Sequence, residues 1–524
     1  MSTADNRDGM PDTALRQPDG TAERLPDIVV VMTDQQRADL TAREGFPLDV
    51  TPFLDELARS GRWFDRAYTS SPLCCPARTS LLTGRYPTAH RVTTNPAVDL
   101  AVFGDDLFGT ARSLGYATAL VGKNHSWMGP DDADAFIEFS HGGQISGPRS
   151  EAETEFDSWL DGLRHRTAHE ASPFPVDLQD PVRIVGHALD WIATIPEDQP
   201  LLLWLSFPEP HNPYQVSEPY FSMFPPESLP PTETDADVLE ERPFAWQYLH
   251  EIGEIGESDY ADTIPRARSN YLGMMRLIDD QLRRFYDGLE QRHAARPRIS
   301  VVTADHGDFV GEYGLVRKGA EIPELLARIP MVVEGDGVVA GPAGDADPAH
   351  ISITDVFPTL CEAMGVPIPA GCQGRSLLPL LAGEPYPEEE FSSAYVEQGM
   401  GGVSYQPQDV PEQLPGVFFE GPPGSPRFDE LNAVTQSGRR RMVRSGRWKL
   451  FVDQQTGARL YDVAEDPLEL RDRWAEPGLD EVRTSLLVQL ARWQMRAEDP
   501  LPVPARGYPV VRRPHGYVAG EPAR

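Results

Sequence analysis

The sequence has little cysteine and no long apolar segment. Four of its 524 residues are cysteines, which is too few for a disulfide-stabilised scaffold. The N-terminus lacks a basic stretch followed by an apolar one, so it does not resemble a secretion signal. No apolar run approaches the roughly 18 residues that a membrane-spanning helix needs. We therefore predict a cytoplasmic protein that is not embedded in a membrane.

Positive charge is also scarce. Lys and Arg together number 47, against 81 Asp and Glu, so the net charge is −34. An acidic surface repels nucleic acids and anionic membranes, and we expect neither as a partner. The same repulsion favours a small anionic substrate over a long polyanionic one. The sequence leaves the oligomeric state open, with a homodimer as one alternative.

Short apolar runs, each followed at once by polar residues, recur along the chain. They lie at Ile28–Met32, Ala117–Val121, Leu201–Leu205 and Ile299–Thr303. Runs of this kind are typical of strands that are buried on both faces of a parallel sheet. Helical patterns separate them, at Thr51–Ser60, Gly109–Leu114 and Ala267–Leu289. The alternation predicts an open α/β sheet covered by helices, with its ligand site beyond the carboxyl ends of the strands.

The composition predicts four segments. They are a flexible tail at 1–25, a large α/β domain at 26–385, a C-terminal α+β subdomain at 386–498 and an extended tail at 499–524. The subdomain is predicted from strands at Ser392–Val396, Arg440–Val443, Trp448–Val452 and Arg459–Asp462 and a helix at Asp480–Met495. The segments 126–160, 214–265 and 399–435 are predicted to be loops that shape the substrate site. The pattern also predicts a solvated strand edge at Arg439–Arg441, and surface positions for His90, His165 and His169.

The segment SSPLCCPARTSLLTGRYP, residues 70–87, concentrates groups that favour an anion. Pro76 favours a helix start that Ala77–Leu82 can continue. The first turn would then direct backbone N–H groups towards Cys74, and Arg78 would return to the same face one turn later. An alternative interpretation is a buried cysteine at a helix start beside a surface arginine. Cys-x-Pro-x-Arg by itself does not decide between the two.

With the Leu-Thr-Gly-Arg that follows, this segment resembles the signature of the sulfatase family, part of the alkaline phosphatase superfamily. The matching residues are Cys74, Pro76, Arg78, Leu82, Thr83, Gly84 and Arg85. The resemblance implies that a formylglycine-generating enzyme oxidises Cys74 to Cα-formylglycine. It also implies a large mixed, mostly parallel sheet between helices, followed by a smaller C-terminal α+β domain with an antiparallel sheet.

The resemblance extends in family order over residues 26–495, through PDIVVVMTDQQ, GKNH, PHNP and TADHGDFVGEYGLVRKG. It implies that one divalent metal is held by Asp34, Gln35, Cys74, Asp305 and His306. It implies that catalysis depends on Cys74, Arg78, Lys123, His125, His211 and Lys318, and that Asn95, Lys123, His211 and Lys318 bind substrate. Two converging carboxylates would repel each other, and a divalent cation removes that conflict. The mostly oxygen donor set suits Ca²⁺, the family expectation, as well as Mn²⁺ or Mg²⁺.

The implied activity is hydrolysis of a small organic sulfate monoester, as in an arylsulfatase. A hydroxyl of the hydrated aldehyde would attack sulfur, His211 or Lys318 would protonate the leaving oxygen, and His125 would act as the base. Phosphonate monoester or phosphodiester hydrolysis on the same scaffold is an alternative that the Asp-Gln and Asp-His pairs fit equally well. The Lys-x-His pair favours the sulfatase. A non-catalytic anion-binding relative is the second alternative.

Overall fold

The computed structural model describes residues 24–257, 259–293, 296–341, 344–409, 430–501 and 513–519. The strands are β1 Asp27–Asp34, β2 Arg62–Trp63, β3 Ala67–Tyr68, β4 Ala117–Lys123, β5 Ala135–Ser140, β6 Gly143–Gln144, β7 Leu201–Pro210, β8 Arg298–Ala304, β9 Met331–Gly335, β10 Ile351–Ser352, β11 Ser393–Gly401, β12 Gly438–Ser445, β13 Trp448–Asp453 and β14 Gly457–Asp462. The α-helices are α1 Pro52–Ser60, α2 Cys74–Thr83, α3 Pro87–His90, α4 Leu107–Ser113, α5 Glu151–Gly162, α6 Asp180–Ile192, α7 Tyr220–Met223, α8 Phe244–Gly256, α9 Tyr260–His293, α10 Glu324–Ala327, α11 Val356–Ala363, α12 Leu378–Leu381, α13 Ala433–Gln436 and α14 Asp480–Ala497.

An eight-stranded sheet in the order β2-β9-β8-β1-β7-β4-β5-β6 forms the centre of the molecule. The five strands from β8 to β5 in this order run parallel to one another. The outer strands β9, β2 and β6 pair antiparallel to their neighbours. The predicted mixed, mostly parallel sheet is confirmed, and each of the four apolar runs forms one of its central strands.

Helices cover both faces of this sheet, as the alternation of strands and helices predicts. On β1, Ile28, Val30 and Met32 pack into the core that α2, α4 and α11 complete. Val29 and Val31 face the other core, against α1, α6 and α9. Because β1 is buried along its whole length, both faces contribute apolar burial of about 1.5–3 kcal/mol for each large side chain. The sheet therefore holds the carboxyl end of β1 rigidly in the interior.

A second, four-stranded antiparallel sheet, β11-β12-β13-β14, follows in the C-terminal part, and α14 packs on it. This confirms the predicted C-terminal α+β architecture. The N–H of Glu397 on β11 donates to the carbonyl of Ser70 at 2.9 Å, which ties this sheet to the chain entering α2. In the predicted 499–524 tail, Tyr517 is buried and donates to the carbonyl of Ser376 at 2.8 Å. The domain boundaries stay predictions, and residues 1–23, 502–512 and 520–524 lie outside the described residues.

The predicted solvated strand edge at Arg439–Arg441 is wrong at two of its three arginines. Arg440 is buried and bonds Asp453 at 3.0 Å, and Arg441 pairs with Glu397 at 3.1 Å, so only Arg439 of this run is solvated. The reason is that acidic partners on other strands and loops neutralise these arginines, which the local sequence does not reveal.

The histidine predictions also need correction. His90 is fully buried and hydrogen-bonded to Ser80 at 3.0 Å. His165 is partly buried, with its ring centroid 5.4 Å from that of His141. His169 is exposed, as predicted. Because burial of a polar ring requires a nonlocal hydrogen-bonding or stacking partner, the sequence around each histidine could not separate these three positions.

The segments predicted as loops contain regular structure. The 126–160 segment contains β5, β6 and the start of α5, and 214–265 contains α7, α8 and the start of α9. Trp246 on α8 is buried in an apolar cluster with Tyr271 of α9, beneath the acidic side chains that suggested a loop. Of 399–435, residues 410–429 lie outside the described residues. Among the helices that the structure describes, none is both long and apolar enough to cross a membrane.

Gly84 ends α2, the helix that begins at Cys74. Its φ of 63° lies in the left-handed region, and its N–H donates to the carbonyl of Ser80 at 2.8 Å. A Cβ at this position would lie 2.4 Å from Sγ of Cys372 and 3.3 Å from Cδ of Pro358. Glycine therefore both ends the helix and lets Cys372 and Pro358, from a distant part of the chain, pack against it.

We predict that Gly84→Ala lowers the free energy of unfolding by about 3 kcal/mol. The left-handed backbone costs about 1–2 kcal/mol for alanine, and overpacking against Cys372 costs about 1–3 kcal/mol. Gly115→Ala is the matched control, because Gly115 follows α4 with φ of 84° but a Cβ there would meet no atom within 4 Å. Calorimetric melting should show the larger loss for Gly84→Ala, and equal losses would contradict the packing argument.

Candidate active site

The predicted site residues meet at the carboxyl ends of adjacent parallel strands. Asp34 is the last residue of β1, Lys123 is the last of β4, and His211 and Asp305 directly follow β7 and β8. Because these strands lie side by side, their ends converge at one edge of the sheet. The helix α2 brings Cys74 to the same edge.

Four buried side chains form a compact ligand group. One possible ligand atom from each of Asp34, Cys74, Asp305 and His306 lies within 4.8 Å of all the others. His306 Nε2 is 3.3 Å from Cys74 Sγ and 3.6 Å from an oxygen of each carboxylate. His306 Nδ1 donates to the carbonyl of Gly307 at 2.9 Å, which leaves Nε2 with a lone pair on the neutral ring.

The electrostatics of this group suit a divalent cation. Burial lowers the pKa of His306 to about 3, so the imidazole is neutral at physiological pH and able to bind a metal. Burial opposes ionisation of Asp305, but the neighbouring basic groups of Arg78 and Lys123 hold the pKa of this carboxyl below its usual range. Two carboxylates with a neutral imidazole provide hard oxygen donors and one nitrogen, a set that fits Ca²⁺, Mn²⁺ or Mg²⁺.

Two buried cations balance the carboxylates. Arg78 is fully buried, and its Nε bonds Asp305 Oδ2 at 2.8 Å. Its Nη1 donates to Ser206 Oγ at 2.7 Å and to the carbonyl of Lys123 at 2.9 Å, which joins α2 to β7 and β4. Burial lowers the pKa of Lys123 well below its usual value, but Lys123 Nζ contacts the carboxylate of Asp34 at Oδ2, and this contact favours the ammonium. Arg78 therefore connects the ligand group to β7 and to the end of β4.

Gln35 lies beside the ligand group, with both ends of its side-chain amide engaged. Its Oε1 accepts from Lys318 Nζ at 2.7 Å, and its Nε2 donates to Asp308 Oδ2 at 2.5 Å. Its backbone N–H donates to Asp305 Oδ1 at 3.0 Å, and its φ of 68° makes this approach possible. Gln35 orients Asp305 and Lys318, and direct metal ligation by its oxygen stays a prediction.

Lys318 and His211 form a second buried pair, with Lys318 Nζ 2.9 Å from His211 Nε2. His211 Nδ1 donates to the carbonyl of Asn212 at 2.7 Å, so its Nε2 accepts from the ammonium. Burial, together with His141 and Lys318, lowers the pKa of His211 well below its usual value. Burial also favours a neutral amine at Lys318, but the carboxylates of Glu430 and Asp305 help to raise its pKa above the ordinary value. The proton in the hydrogen bond between Lys318 Nζ and His211 Nε2 therefore resides on Lys318.

Asn95 and His125 lie at the margins of the group. Asn95 Oδ1 accepts from the N–H of Cys75 at 3.0 Å, which fastens the first turn of α2. His125 has φ of 46°, and its ring lies 5.6 Å from the His141 ring, centroid to centroid. Burial lowers the pKa of His125 well below its usual value. His125 is connected to the site by the contact between its ring and the ring of His141. The role of His125 as a base stays a prediction.

Sequence reasoning missed three residues of the site. His141 stacks on His211 at a centroid distance of 3.7 Å, and its Nε2 is 2.9 Å from Lys123 Nζ. Asp308 accepts from Tyr214 as well as from Gln35, and Glu430 lies 3.5 Å from Lys318. His141 directly follows β5. The expectation that polar residues directly after the strands meet at one edge, which located His211, could therefore also have located His141. No pattern in the sequence around Glu430 identifies it as a residue of the site.

The unmodified thiol of Cys74 is poorly reactive at neutral pH. Burial raises the pKa of Cys74 to about 12, and the pKa of Cys75 rises to about 12 for the same reason. A thiol with such a pKa is protonated at neutral pH, and the thiolate is the form that attacks electrophiles and binds metals. An unmodified Cys74 is therefore poorly suited to act as a nucleophile.

The chain is similar in sequence and in fold to several known proteins. The model of the family named Sulfatase matches residues 26–366. The multifunctional alkaline phosphatase superfamily protein PehA of Trinickia caryophylli is 29% identical over 427 residues, covering 73% of this chain and 82% of that protein. The choline-sulfatase of Rhizobium meliloti is 25% identical over 501 residues, covering 90% and 88%. The crystal structure of a phosphonate monoester hydrolase of Agrobacterium radiobacter has a TM-score of 0.72 at 24% identity, covering 93% of this chain and 100% of that one.

We predict that Asp305→Asn weakens binding of Ca²⁺ or Mn²⁺ at least tenfold, because it removes one of two carboxylate charges from the ligand group. Isothermal titration calorimetry on the full chain measures this affinity. Asp131→Asn is the control, since Asp131 is exposed and shortly precedes Ala135, which pairs with Ala119 near the start of β4, whereas Lys123 ends that strand. Unchanged affinity in a folded Asp305→Asn variant would exclude the proposed ligand group.

Proposed function

The chain belongs to the sulfatase family of hydrolases, and we propose that it cleaves small organic sulfate monoesters into an alcohol and inorganic sulfate. One observation carries this proposal: three buried cationic side chains, Arg78, Lys123 and Lys318, are arranged around Cys74 and the ligand group. A compact anion with several oxygens suits such a site. The similarity to a choline-sulfatase along nearly the whole chain supports the same assignment.

We propose that a formylglycine-generating enzyme oxidises Cys74. The Cys-x-Pro-x-Arg sequence, the position of Cys74 at the first residue of α2 and its inert thiol support this modification. The hydrated aldehyde of formylglycine supplies one hydroxyl that attacks sulfur and a second whose deprotonation releases sulfate. The N–H groups of the first turn of α2 favour negative charge at this position.

Asp34, Asp305, His306 and the modified side chain at position 74 would hold one divalent ion. Ca²⁺ is the first expectation and Mn²⁺ or Mg²⁺ are alternatives. When bound, the ion supplies positive charge that offsets the two carboxylates and acidifies a neighbouring hydroxyl. Arg78 holds Asp305 in place from the side away from solvent, and Gln35 fixes the same carboxylate through its backbone N–H.

Lys123 and Lys318 are proposed to bind the oxygens of the sulfate group. A unit charge about 4 Å away contributes roughly 4 kcal/mol of Coulomb energy near a protein surface. Lys318 also holds the proton that it shares with His211 Nε2, and we propose that this pair protonates the leaving alcohol. His141 stacks on His211 and limits its rotation. His125 is proposed as the base that completes the cycle.

Hydrolysis of phosphonate monoesters or phosphodiesters is the second candidate. It is supported by Gln35 beside the ligand group, by His306 within that group, and by the structural likeness to a phosphonate monoester hydrolase over 93% of the chain. The Lys123 and His125 pair favours sulfate. Both candidates use the same nucleophile, so the preference must be decided by comparing substrates.

The deciding experiment combines mass spectrometry with substrate assays. After co-expression with a formylglycine-generating enzyme, the peptide spanning residues 71–85 should lose mass, because CHO replaces CH₂SH. We expect kcat/KM for an aryl sulfate to exceed the values for a phosphonate monoester and a phosphodiester. Cys74→Ala should abolish turnover, whereas Cys75→Ala, the adjacent buried thiol, should retain it. Faster turnover of the phosphorus substrates, or an unconverted Cys74 under these conditions, would overturn the proposal.

A separate prediction concerns Lys318. We expect Lys318→Met to lower kcat by about 10²–10⁴ for sulfates of poorly acidic alcohols, because these need a proton on the leaving oxygen. For a nitrophenyl sulfate, whose leaving group needs little protonation, the loss should be much smaller. Leaving-group dependence of kcat measures this difference within one variant. An equal loss across the series would mean that Lys318 only binds the sulfate group.

A further inference from the structure

A cavity of about 250 Å³ lies between the catalytic sheet region and the C-terminal sheet. Ser71, on its wall, is three residues before Cys74, and Thr93 is two residues before Asn95, which holds the first turn of α2. On the other side, Gln398 lines the cavity and donates to the carbonyl of Gly319 at 3.3 Å. The cavity walls therefore continue into the two segments that carry the nucleophile position and Lys318.

The charge of this cavity is opposite to that of the whole chain. Three arginines and one carboxylate, Glu397, line it, although the net charge of the chain is −34. Glu397 is 2% exposed and already bonded: it accepts from Thr88 and pairs with Arg441 at 3.1 Å. Arg441 is thereby neutralised, and the positive charge that remains belongs to Arg91 and Arg439.

These two arginines are available to a ligand. Arg439 is exposed and has no ion pair among the residues that the structure describes. The side chain of Arg91 is 60% exposed, and its Nη2 is 3.7 Å from Asp499 Oδ2, a carboxylate that Arg85 already bonds at 2.6 Å. Both arginines line the same cavity, and each guanidinium can donate two parallel hydrogen bonds to an oxyanion.

The backbone of β11 is irregular where it borders the cavity beside Arg439. The pairing of β11 with β12 shifts register between Gln398 and Gly401, an irregularity of the kind common beside functional sites. At Gly399, with φ of 104°, a Cβ would lie 2.3 Å from the carbonyl oxygen of Gly438. At Gly401, with φ of 111°, a Cβ would lie 3.6 Å from Arg439 Nε. Glycine at 399 therefore allows β11 to approach the backbone of β12 next to Arg439, whereas a Cβ at 401 would meet the Arg439 side chain only at an ordinary contact distance.

We propose that this cavity binds the alcohol part of the substrate, and that this part carries a second oxyanion which Arg439 and Arg91 bind. The inference rests on the proposed function and names its substrate class: sulfate esters of acidic alcohols. Pro87 and the 47% exposed Met400 supply apolar contact for the body of the alcohol. The volume accommodates about one ring and no oligosaccharide. A carboxylate, a sulfate or a phosphate would satisfy the same guanidinium groups.

The kinetic test compares phenyl sulfate with phenyl sulfates bearing a carboxylate, a sulfonate or a phosphate on the ring. The ratio of kcat/KM for each charged ester to that for phenyl sulfate should fall at least fivefold in Arg439→Gln and in Arg91→Gln. Phenyl sulfate itself should change less than twofold. Arg492→Gln is the matched control, because Arg492 is an exposed arginine on α14. The ester with the largest ratio identifies the oxyanion.

A binding test separates failure of this inference from failure of the proposed function. Hydroxybenzoate and phenol are titrated into the full chain by calorimetry, without turnover. We expect hydroxybenzoate to bind more tightly than phenol in the wild type and in Arg492→Gln, and to lose that advantage in Arg439→Gln. Equal affinities, or an advantage that survives both arginine substitutions, would overturn the inference. If the charged product binds as expected but no sulfate ester is hydrolysed, the proposed function fails and the acidic-ligand site stands.

Discussion

The structure depends on the neutralisation of two buried carboxylates at one edge of the sheet. Asp34 and Asp305 are both fully buried, and two such charges cannot remain ionised together without cations. Arg78 bonds Asp305 at 2.8 Å, and Lys123 contacts Asp34. Because Arg78 also donates to Ser206 and to the carbonyl of Lys123, this charge pairing joins α2 to β4 and β7. The same contacts that hold the fold together therefore position Cys74 over the carboxylates.

These compensating cations also explain how an acidic protein binds an anion. Exposed charges are screened beyond about 8 Å at physiological salt, so the net charge of −34 has little effect inside the site. Lys318, which Gln35 and His211 contact at 2.7 and 2.9 Å, acts at much shorter range. Burial keeps His211 neutral, and the carboxylates of Glu430 and Asp305 favour the ammonium of Lys318. The hydrogen bond at His211 Nδ1 decides the tautomer, so that Nε2 faces Lys318 as an acceptor. Binding of the sulfate group and protonation of its leaving alcohol are thus assigned to one buried pair.

Much of this arrangement could be predicted from the sequence, for physical reasons. Strands buried on both faces appear as continuous apolar runs, and parallel strands end at one edge, so Asp34, Lys123, His211 and Asp305 had to meet. Features that depend on nonlocal partners could not be predicted. Arg440 is buried because Asp453 lies across the strand pair, and Glu430 reaches Lys318 from the C-terminal region. The amide orientation of Gln35 is likewise set by neighbours far away in the sequence.

The central claim is that the buried carboxylates, His306 and the side chain at position 74 surround one divalent ion. Crystals of the converted protein grown with Mn²⁺, with data collected at a wavelength where manganese scatters anomalously, test this most directly. The account predicts a single strong anomalous peak within coordinating distance of Asp34, Asp305, His306 and residue 74, with Lys123 displaced from Asp34. A map without a peak there, and with Lys123 still against Asp34, would contradict it.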